Sequence, residues 1–327
     1  MGTAEPRPSL SIVVPVYNEE GNVGPLHAEL SAVARQIGRP YEIVFVNDGS
    51  TDQTLPRLVA LTRADPALRV VELDGNFGEA AALSAGFDAA RGDVVATLDG
   101  DGQNDPAAIP FLLEKLEEGY DAASGRRLRR REAFTTRVLP SLVANRAIAL
   151  ATGVPVYDCG CGLKAYRRHL VEGAQLPRGF NRFLPAILGV DPKRVAEITV
   201  RDRPRGSGAS HYGLSRLFIV LRDLPALPLL TRFRRPPQAV VRALGRTIAA
   251  VYALVVVGAL TGHTWLALAA LGAQLNLIAA RDGVARMALA REKGVFRVRK
   301  VHHGGTSGAS RHRGTGVLGQ EPAPYLQ

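Results

Sequence analysis

The sequence predicts an α/β fold with a mostly parallel sheet, followed by a C-terminal pair of helices that associates with a membrane. Two observations carry this prediction. Over residues 10–125, short runs rich in β-branched residues alternate with helical stretches, the pattern of a parallel sheet with helical crossovers. Residues 247–280 then contain no Asp, Glu, Lys or Arg, which is typical of helices that meet lipid.

Four apolar runs in the first half predict buried strands. They are Leu10–Val16, Tyr41–Val46, Arg69–Leu73 and Asp93–Leu98, and a fifth strand is expected near Tyr120–Ser124. The predicted helices between them cover Asn22–Ile37, Thr54–Arg63, Glu79–Arg91 and Pro106–Glu118. Polar turn residues follow the first, second and fourth strands. Because ligands bind at the carboxyl ends of strands in open α/β sheets, we expect the functional site at these three turns.

The middle of the chain is less regular. Residues 132–152 read as an amphipathic helix, residues 154–168 as an irregular segment ending in a short strand, and Val195–Val200 as another strand. A Gly/Ser-rich basic loop follows at residues 203–210. Residues 214–230 then predict a helix with apolar and basic faces, a composition common at membrane interfaces.

The uncharged block predicts a membrane hairpin. A spanning helix needs about 20 apolar residues, so two short helices fit if the first starts near Ala239 and the chain turns at Thr261–His263. Arginines lie on both sides of the block, and the positive-inside rule then places both ends in the cytoplasm. A buried soluble hairpin or a re-entrant one is the alternative. The predicted organisation is a tail (1–8), a catalytic domain (9–213), interfacial helices (214–238), the hairpin (239–281) and a basic cytoplasmic tail (282–327), disordered from His302.

Composition excludes several classes of protein. The 327 residues are 46% hydrophobic and 22% charged, so the chain is not disordered, and two cysteines cannot form a disulfide scaffold. No targeting segment is recognised at the N-terminus, and we expect the catalytic domain in the cytoplasm. Net charge is −7 over residues 1–100 and +8 over residues 200–246, which indicates an anionic partner. The run Arg126–Arg131 lacks interleaved aromatic residues, so a membrane surface is favoured and no nucleic acid partner is expected.

Asp99-Gly100-Asp101, at the end of the fourth strand, is the sharpest chemical feature. Two carboxylates one residue apart on a loop suit Mg²⁺ or Mn²⁺ beside a diphosphate, and Gln103 offers a further oxygen. A solvated acidic turn is the alternative. No G-x-x-x-x-G-K-[ST] occurs, and no G-x-G-x-x-G follows the first strand, which disfavours P-loop and dinucleotide-binding proteins.

Asp48 ends the second strand within Asn47–Asp52. Its carboxylate is suited to accept hydrogen bonds from a nucleobase. The alternative is an N-cap for the next helix, a task that Ser50, Thr51 or Asp52 also suits.

These motifs carry a family resemblance. In order and spacing, the segments 15–20, 46–52, 76–78 and 99–103 resemble family 2 glycosyltransferases of the GT-A fold. Residues 158–164, 181–184 and 203–213 resemble the dolichyl-phosphate mannosyltransferase and bactoprenyl (undecaprenyl phosphate) glucosyltransferase branch, and the resemblance covers about residues 9–300.

The resemblance implies a Rossmann-like, mostly parallel GT-A catalytic domain followed by the membrane hairpin. It implies metal-dependent, inverting transfer of a hexosyl unit, mannose or glucose first, to a dolichyl- or undecaprenyl-type polyprenyl phosphate at the cytoplasmic membrane face. The donor would be GDP-mannose, UDP-glucose or a UDP-N-acetylhexosamine. A family 2 enzyme with a soluble or glycolipid acceptor, and a non-catalytic membrane scaffold that retains the fold, are the alternatives.

The resemblance also implies roles for single residues. The nucleotide would contact Pro15, Tyr17, Glu19 and Asp48, and the metal and diphosphate would contact Asp99, Asp101 and Gln103. The phosphates of donor or acceptor would contact Arg126, Arg205, Ser210 and His211. Asp158 stands where some members have a proposed catalytic carboxylate. Three positions depart from the family pattern. Glu79 and His211 stand where many members have lysine, and Asp105 is an additional carboxylate after the metal motif.

Overall fold

The computed structural model describes residues 8–127, 139–154, 157–201, 203, 222–232 and 238–304. Its centre is a mixed eight-stranded sheet. In chain order the strands are β1 (Leu10–Val16), β2 (Tyr41–Asn47), β3 (Leu68–Leu73), β4 (Val94–Thr97), β5 (Ala122–Arg127), β6 (Lys164–Arg167), β7 (Val195–Val200) and β8 (Val298–His303). Their spatial order is β7-β5-β6-β4-β1-β2-β3-β8.

The pairing of the strands explains where the site lies. β1 pairs in parallel with both β2 and β4, β2 pairs in parallel with β3, and β5 pairs in parallel with β7. β6 runs antiparallel between β4 and β5. The carboxyl ends of β1, β2 and β4 therefore share one edge of the sheet, which the amino end of β6 meets. The fifth strand lies further along the chain than predicted, because Gly125–Arg127 belong to β5 rather than to a following loop.

Helices cover both faces of the sheet. The helices are α1 (Val23–Ile37), α2 (Thr54–Thr62), α3 (Glu79–Ala89), α4 (Ile109–Glu117), α5 (Leu139–Thr152), α6 (Arg168–Val171), α7 (Leu184–Ile187), α8 (Leu227–Arg232), α9 (Gln238–Leu260) and α10 (Thr264–Lys293). Apolar side chains of α1, α2 and α4 form one core with the sheet, and those of α3 and the C-terminal part of α10 belong to a second core. Short 3₁₀ segments occur at Pro106–Ala108, Phe180–Phe183, Pro192–Arg194 and Leu224–Ala226.

The hairpin differs from the sequence prediction in its second helix. α9 and α10 are joined at residues 261–263, and α10 continues to Lys293, so residue 281, the predicted end of the hairpin, lies inside a helix. Val240–Leu260 is the single helix, within the described ranges, that is long and apolar enough to cross a membrane. The apolar part of α10 is shorter than that of α9. Two of its large apolar side chains, Trp265 and Leu268, are 66% and 68% exposed.

The C-terminal segment corrects a second expectation. His302 and His303 lie in β8 rather than at the start of a disordered tail. β8 pairs antiparallel with β3, and Val301 packs against the core while His302 Nε2 lies 2.9 Å from Glu72 Oε2. The sequence of this strand shows no apolar alternation, because an edge strand buries few side chains and this one is rich in charged residues. Residues 305–327 lie outside the described part.

Candidate functional site

The turns after β1 and β2 interlock at the carboxyl edge of the sheet. The Asn18 N–H donates to Ser50 Oγ at 3.0 Å, and Asn18 Oδ1 accepts from the Thr51 N–H at 2.8 Å. The Glu19 N–H donates to Thr54 Oγ1 at 2.8 Å. Pro15 is buried at the end of β1, whereas Tyr17 directly after it is 44% exposed. The predicted nucleotide residues of the first turn thus lie beside the second turn.

Asp48 is buried and holds a third loop. Its two carboxylate oxygens accept from the backbone N–H groups of Phe77 and Gly78, both at 2.8 Å. Burial raises the pKa of Asp48, while these hydrogen bonds and nearby Arg178 oppose the shift. Asp48 does not cap α2, whose N-cap is Gln53 rather than Ser50, Thr51 or Asp52. Asp52, the residue before the N-cap, accepts from the Thr54 N–H with its Oδ1 at 3.0 Å.

The acidic turn after β4 is held by side chains of its own loop. The Asp99 N–H donates to buried Asn104 Oδ1 at 3.0 Å, and Asp101 Oδ1 accepts from the Gln103 N–H at 3.1 Å. The Asp99 carboxylate packs directly against Gly162, where a Cβ would lie inside its van der Waals surface. Thr97 Oγ1 fixes the same segment by donating to the Gly162 carbonyl at 2.8 Å. The absence of a side chain at 162 therefore gives the carboxylate its place.

Charge is concentrated around Asp99. Burial and the carboxylates of Glu79 and Asp101 raise the pKa of Asp99 to about 7, and the cations Lys164 and Arg127 oppose the shift. Lys164 is only 4% exposed. Its Nζ donates to the carbonyls of Cys159 and Cys161. No role for Lys164 was predicted from the sequence, because its approach to Asp99 depends on the antiparallel pairing of Thr97 with Lys164.

A cavity adjoins Asp99. Its polar lining includes the Glu79 carboxylate, which accepts from Asn181 Nδ2 at 2.6 Å. Glu79, one of the departures from the family pattern, therefore belongs to the site. The full lining is Glu79, Leu83, Thr97, Leu98, Asp99, Cys159, Gly160, Cys161, Gly162, Lys164, Asn181, Arg182 and Leu184. The cavity thus combines carboxylates with two cationic side chains.

Asp158 is buried in a two-point ion pair with Arg127. Arg127 Nε donates to Asp158 Oδ2 at 2.8 Å, and Nη2 donates to Oδ1 at 3.1 Å. The sequence analysis assigned Arg126 but missed Arg127. Arg126 is exposed at the end of β5, with its guanidinium carbon 5.2 Å from the centre of the Tyr157 ring.

The basic loop begins at the acidic turn. Arg205, Ser210 and His211 lie outside the described residues, but Arg203 is placed. Its N–H donates to the Gln103 carbonyl at 2.9 Å, and its guanidinium contacts Asp105 Oδ1 at 2.7 Å and Glu29 Oε2 at 2.6 Å. Asp105, the additional carboxylate, thus anchors the start of this loop and also accepts from the Ala107 N–H at 3.0 Å.

The residues at the acidic turn suit a divalent cation bound together with a phosphate ligand. No group of three or more His, Cys, Asp or Glu side chains that could hold a metal occurs among the residues with described positions. Mg²⁺ and Mn²⁺, however, commonly take one or two carboxylates and complete their shell with water and substrate phosphate. The crowding of carboxylates that raises the pKa of Asp99 is relieved by a positive ion.

The family model for glycosyl transferase family 2 matches residues 11–173. A dodecaprenyl-phosphate galacturonate synthase of Rhizobium johnstonii is 40% identical over 260 residues, which cover 78% of this chain and 77% of the relative. The chain belongs to glycosyl transferase family 2. The matched region contains β1 to β6 and the acidic turn.

Other comparisons agree. An undecaprenyl-phosphate 4-deoxy-4-formamido-L-arabinose transferase of Pseudomonas paraeruginosa is 39% identical over 226 residues, covering 69% of this chain and 66% of the relative. The crystal structure of glucosyl-3-phosphoglycerate synthase from Mycobacterium tuberculosis with Mn²⁺, UDP-glucose and phosphoglyceric acid superposes with a TM-score of 0.53 and 21% identity, covering 68% of this chain and 79% of that chain. The expected GT-A fold and glycosyltransferase class are confirmed.

Proposed function

We propose that this family 2 glycosyltransferase moves a sugar from a UDP-sugar to a polyprenyl phosphate at the cytoplasmic face of a membrane. The observation that carries the proposal is the acidic pair Asp99 and Asp101 beside a cavity with Lys164 and Arg182, in a domain against which a membrane-type helical hairpin packs. The relatives named above use dodecaprenyl or undecaprenyl phosphate, according to their names. Solved GT-A neighbours contain UDP, which favours UDP over GDP.

The nucleotide is assigned to the interlocked turns. The exposed Tyr17 ring supplies a flat apolar surface for a base, and Pro15 and Glu19 hold that turn in place. Asp48 is assigned to the base, and its carboxylate also holds the loop at Phe77 and Gly78 by accepting their backbone N–H groups. Arg178 lies against Gly78 and adds a positive charge near Asp48 that the sequence analysis missed.

Mg²⁺ or Mn²⁺ would be held by Asp99 and Asp101, with Gln103 alongside, and would neutralise charge on the donor diphosphate. Cationic side chains of the chain itself would also neutralise negative charge on the diphosphate. Lys164 and Arg182 line the cavity. Arg127, which is paired with Asp158, adds a positive charge that opposes the rise in the pKa of Asp99. Fixed cations stabilise a leaving diphosphate electrostatically because they need no reorganisation as charge develops.

The acceptor needs little activation. A polyprenyl phosphate is already an anionic nucleophile, so its oxygen forms the new bond to the anomeric carbon as the bond to the nucleoside diphosphate breaks, with inversion. Asp158 is then a positioning residue for Arg127 rather than an obligatory base. Arg126, Arg205, Ser210 and His211 are assigned to acceptor or donor phosphates. Arginine suits this task through its planar, two-point geometry.

A transfer assay tests the proposal. Proteoliposomes receive Mn²⁺ or Mg²⁺ and one labelled donor, with or without undecaprenyl phosphate, and label is counted in the lipid phase. The donors are UDP-galacturonate, UDP-glucose, UDP-N-acetylglucosamine and GDP-mannose. We expect lipid-dependent transfer from a UDP-sugar that is lost in Asp101→Asn and kept in Asp191→Asn, a carboxylate that only caps the 3₁₀ turn at Pro192. Label that enters the lipid phase without undecaprenyl phosphate would favour a glycolipid acceptor, and label found only on a water-soluble product would favour a soluble one. Nucleotide binding without transfer from any donor would favour the scaffold alternative.

A further inference from the structure

The C-terminal half of α10 belongs to the catalytic domain rather than to the membrane hairpin. Ala280, Val284, Met287 and Ala290 are all buried, at four- and three-residue spacing along one helix face. Val284 and Met287 lie in the same apolar core as Phe180 and Leu184. One continuous helix therefore joins the exposed apolar segment that starts at Thr264 to the wall of the donor cavity.

The approach of α10 to the domain is close. Gly283 packs on Ala226 so tightly that a Cβ at 283 would lie 2.5 Å from the Ala226 Cβ. Three residues earlier in the chain, Asp223 has an exposed fraction of 0%. It accepts hydrogen bonds from the Arg286 guanidinium and from Arg222 Nε, the latter at 3.0 Å. A buried carboxylate needs such partners, because an uncompensated buried charge is strongly destabilising.

Arg286 has a second contact that points toward the cavity. Its guanidinium carbon lies 5.1 Å from the centre of the Phe180 ring, a cation–π distance. Phe180 is fully buried and opens the 3₁₀ turn Phe180–Phe183. The next two residues of this turn, Asn181 and Arg182, line the cavity, and Asn181 holds Glu79 at 2.6 Å.

From this chain of contacts, we propose that Arg286 is a positioning residue that couples the membrane hairpin to the donor-sugar side of the site. Its side chain is fixed by Asp223 on one side and by Asp282 Oδ2, at 2.9 Å from Nε, on its own helix. With the guanidinium fixed, the Phe180 ring and the turn that carries Asn181 and Arg182 have a defined position relative to α10. A tilt or shift of α10 in the membrane would then move the cavity wall. This inference rests on the proposed function for the identity of the donor and of the acceptor.

Asn181 allows a test that separates positioning from stability. Arg286→Met removes the charge and keeps much of the side-chain volume, Arg286→Lys keeps the charge and the cation–π partner, and Asn181→Ala removes the cavity contact. Lys293→Met is the matched control, an exposed cation on the same helix. We expect Arg286→Met to lower kcat/KM for the donor about tenfold, Arg286→Lys to recover part of it, and free UDP to bind within about twofold of wild type. The double variant Asn181→Ala/Arg286→Met should lose less than the product of the single effects, because coupled residues are non-additive.

A second measurement does not depend on the acceptor. Amide hydrogen exchange of full-length protein in nanodiscs should be faster over residues 180–184 in Arg286→Met and unchanged there in Lys293→Met. Failure of wild-type transfer to undecaprenyl phosphate would overturn the acceptor assignment and leave this exchange result as the test of the coupling. Unchanged exchange at 180–184, or fully multiplicative effects of the two substitutions, would overturn the coupling itself.

Discussion

At the scale of single residues, the site depends as much on a missing side chain as on charged ones. Asp99 occupies the space that a Cβ at Gly162 would need. We expect Gly162→Ala to displace the carboxylate and to lower kcat/KM by about 100-fold, the usual cost of a small misplacement of a reacting group. Gly24→Ala, with no atom within 4 Å of the added Cβ, is the control and should keep full activity. Equal rates in the two variants would show that Asp99 needs no fixed position.

The same carboxylate predicts a pH dependence of metal binding. Burial and neighbouring carboxylates raise the pKa of Asp99 to about 7, so without metal its proton is lost only as pH rises through that value. A proton and Mn²⁺ compete for the group, and metal affinity should therefore rise from pH 6 to pH 8. We expect MnCl₂ with UDP to raise Tm more at pH 8 than at pH 6. A Tm increase that is constant over this range would contradict the assignment of Asp99 as a ligand.

At the scale of elements, the sequence predicted the first four strands to within one residue because each is a buried run with a clear pattern. It identified Asp99, Asp101 and Asp48 because they follow such strands. It could not place Lys164 beside Asp99, or Arg127 against Asp158, since these contacts depend on how β6 pairs with β4 and with β5. β8 was missed for a different reason, because a half-exposed edge strand rich in charge has no apolar alternation to detect.

β8 carries its own prediction. Val301 packs against the core, whereas Val298 in the same strand is 38% exposed. Val301→Asp should lower the free energy of unfolding by about 1–3 kcal/mol, because it moves a charge into a partly apolar setting. Val298→Asp should change it by less than about 0.5 kcal/mol, as is usual at exposed positions. Urea unfolding of the full chain in detergent, monitored by far-UV circular dichroism, measures the free energy of unfolding of both variants. Equal losses of stability in the two variants would mean that β8 does not pair as described.

At the scale of the whole molecule, the exposed apolar surface of the hairpin favours a position at a membrane. Leu254 and Val257 of α9 are 63% and 55% exposed, and the helix has the length and composition to cross a membrane. Such a surface is unfavourable in water and indicates contact with lipid. For the polyprenyl phosphate acceptor proposed above, this arrangement would bring the cavity beside Asp99 close to the lipid, since α10 runs from the exposed segment to the cavity wall.

Charge placed on α9 should release the protein from membranes. Lysine at the centre of a spanning helix costs about 2.5–3.5 kcal/mol, so Leu254→Lys/Val257→Lys should move most of the protein from the carbonate-resistant membrane fraction to the extract. Phe111→Lys/Leu150→Lys changes two exposed apolar residues of the catalytic domain and should leave the distribution unchanged. With the released variant, transfer to undecaprenyl phosphate in vesicles should fall more than UDP binding, because the nucleotide is assigned to the turns at the edge of the sheet and not to α9. A double-lysine variant that stays in the membrane would show that α10 or another segment holds the enzyme there.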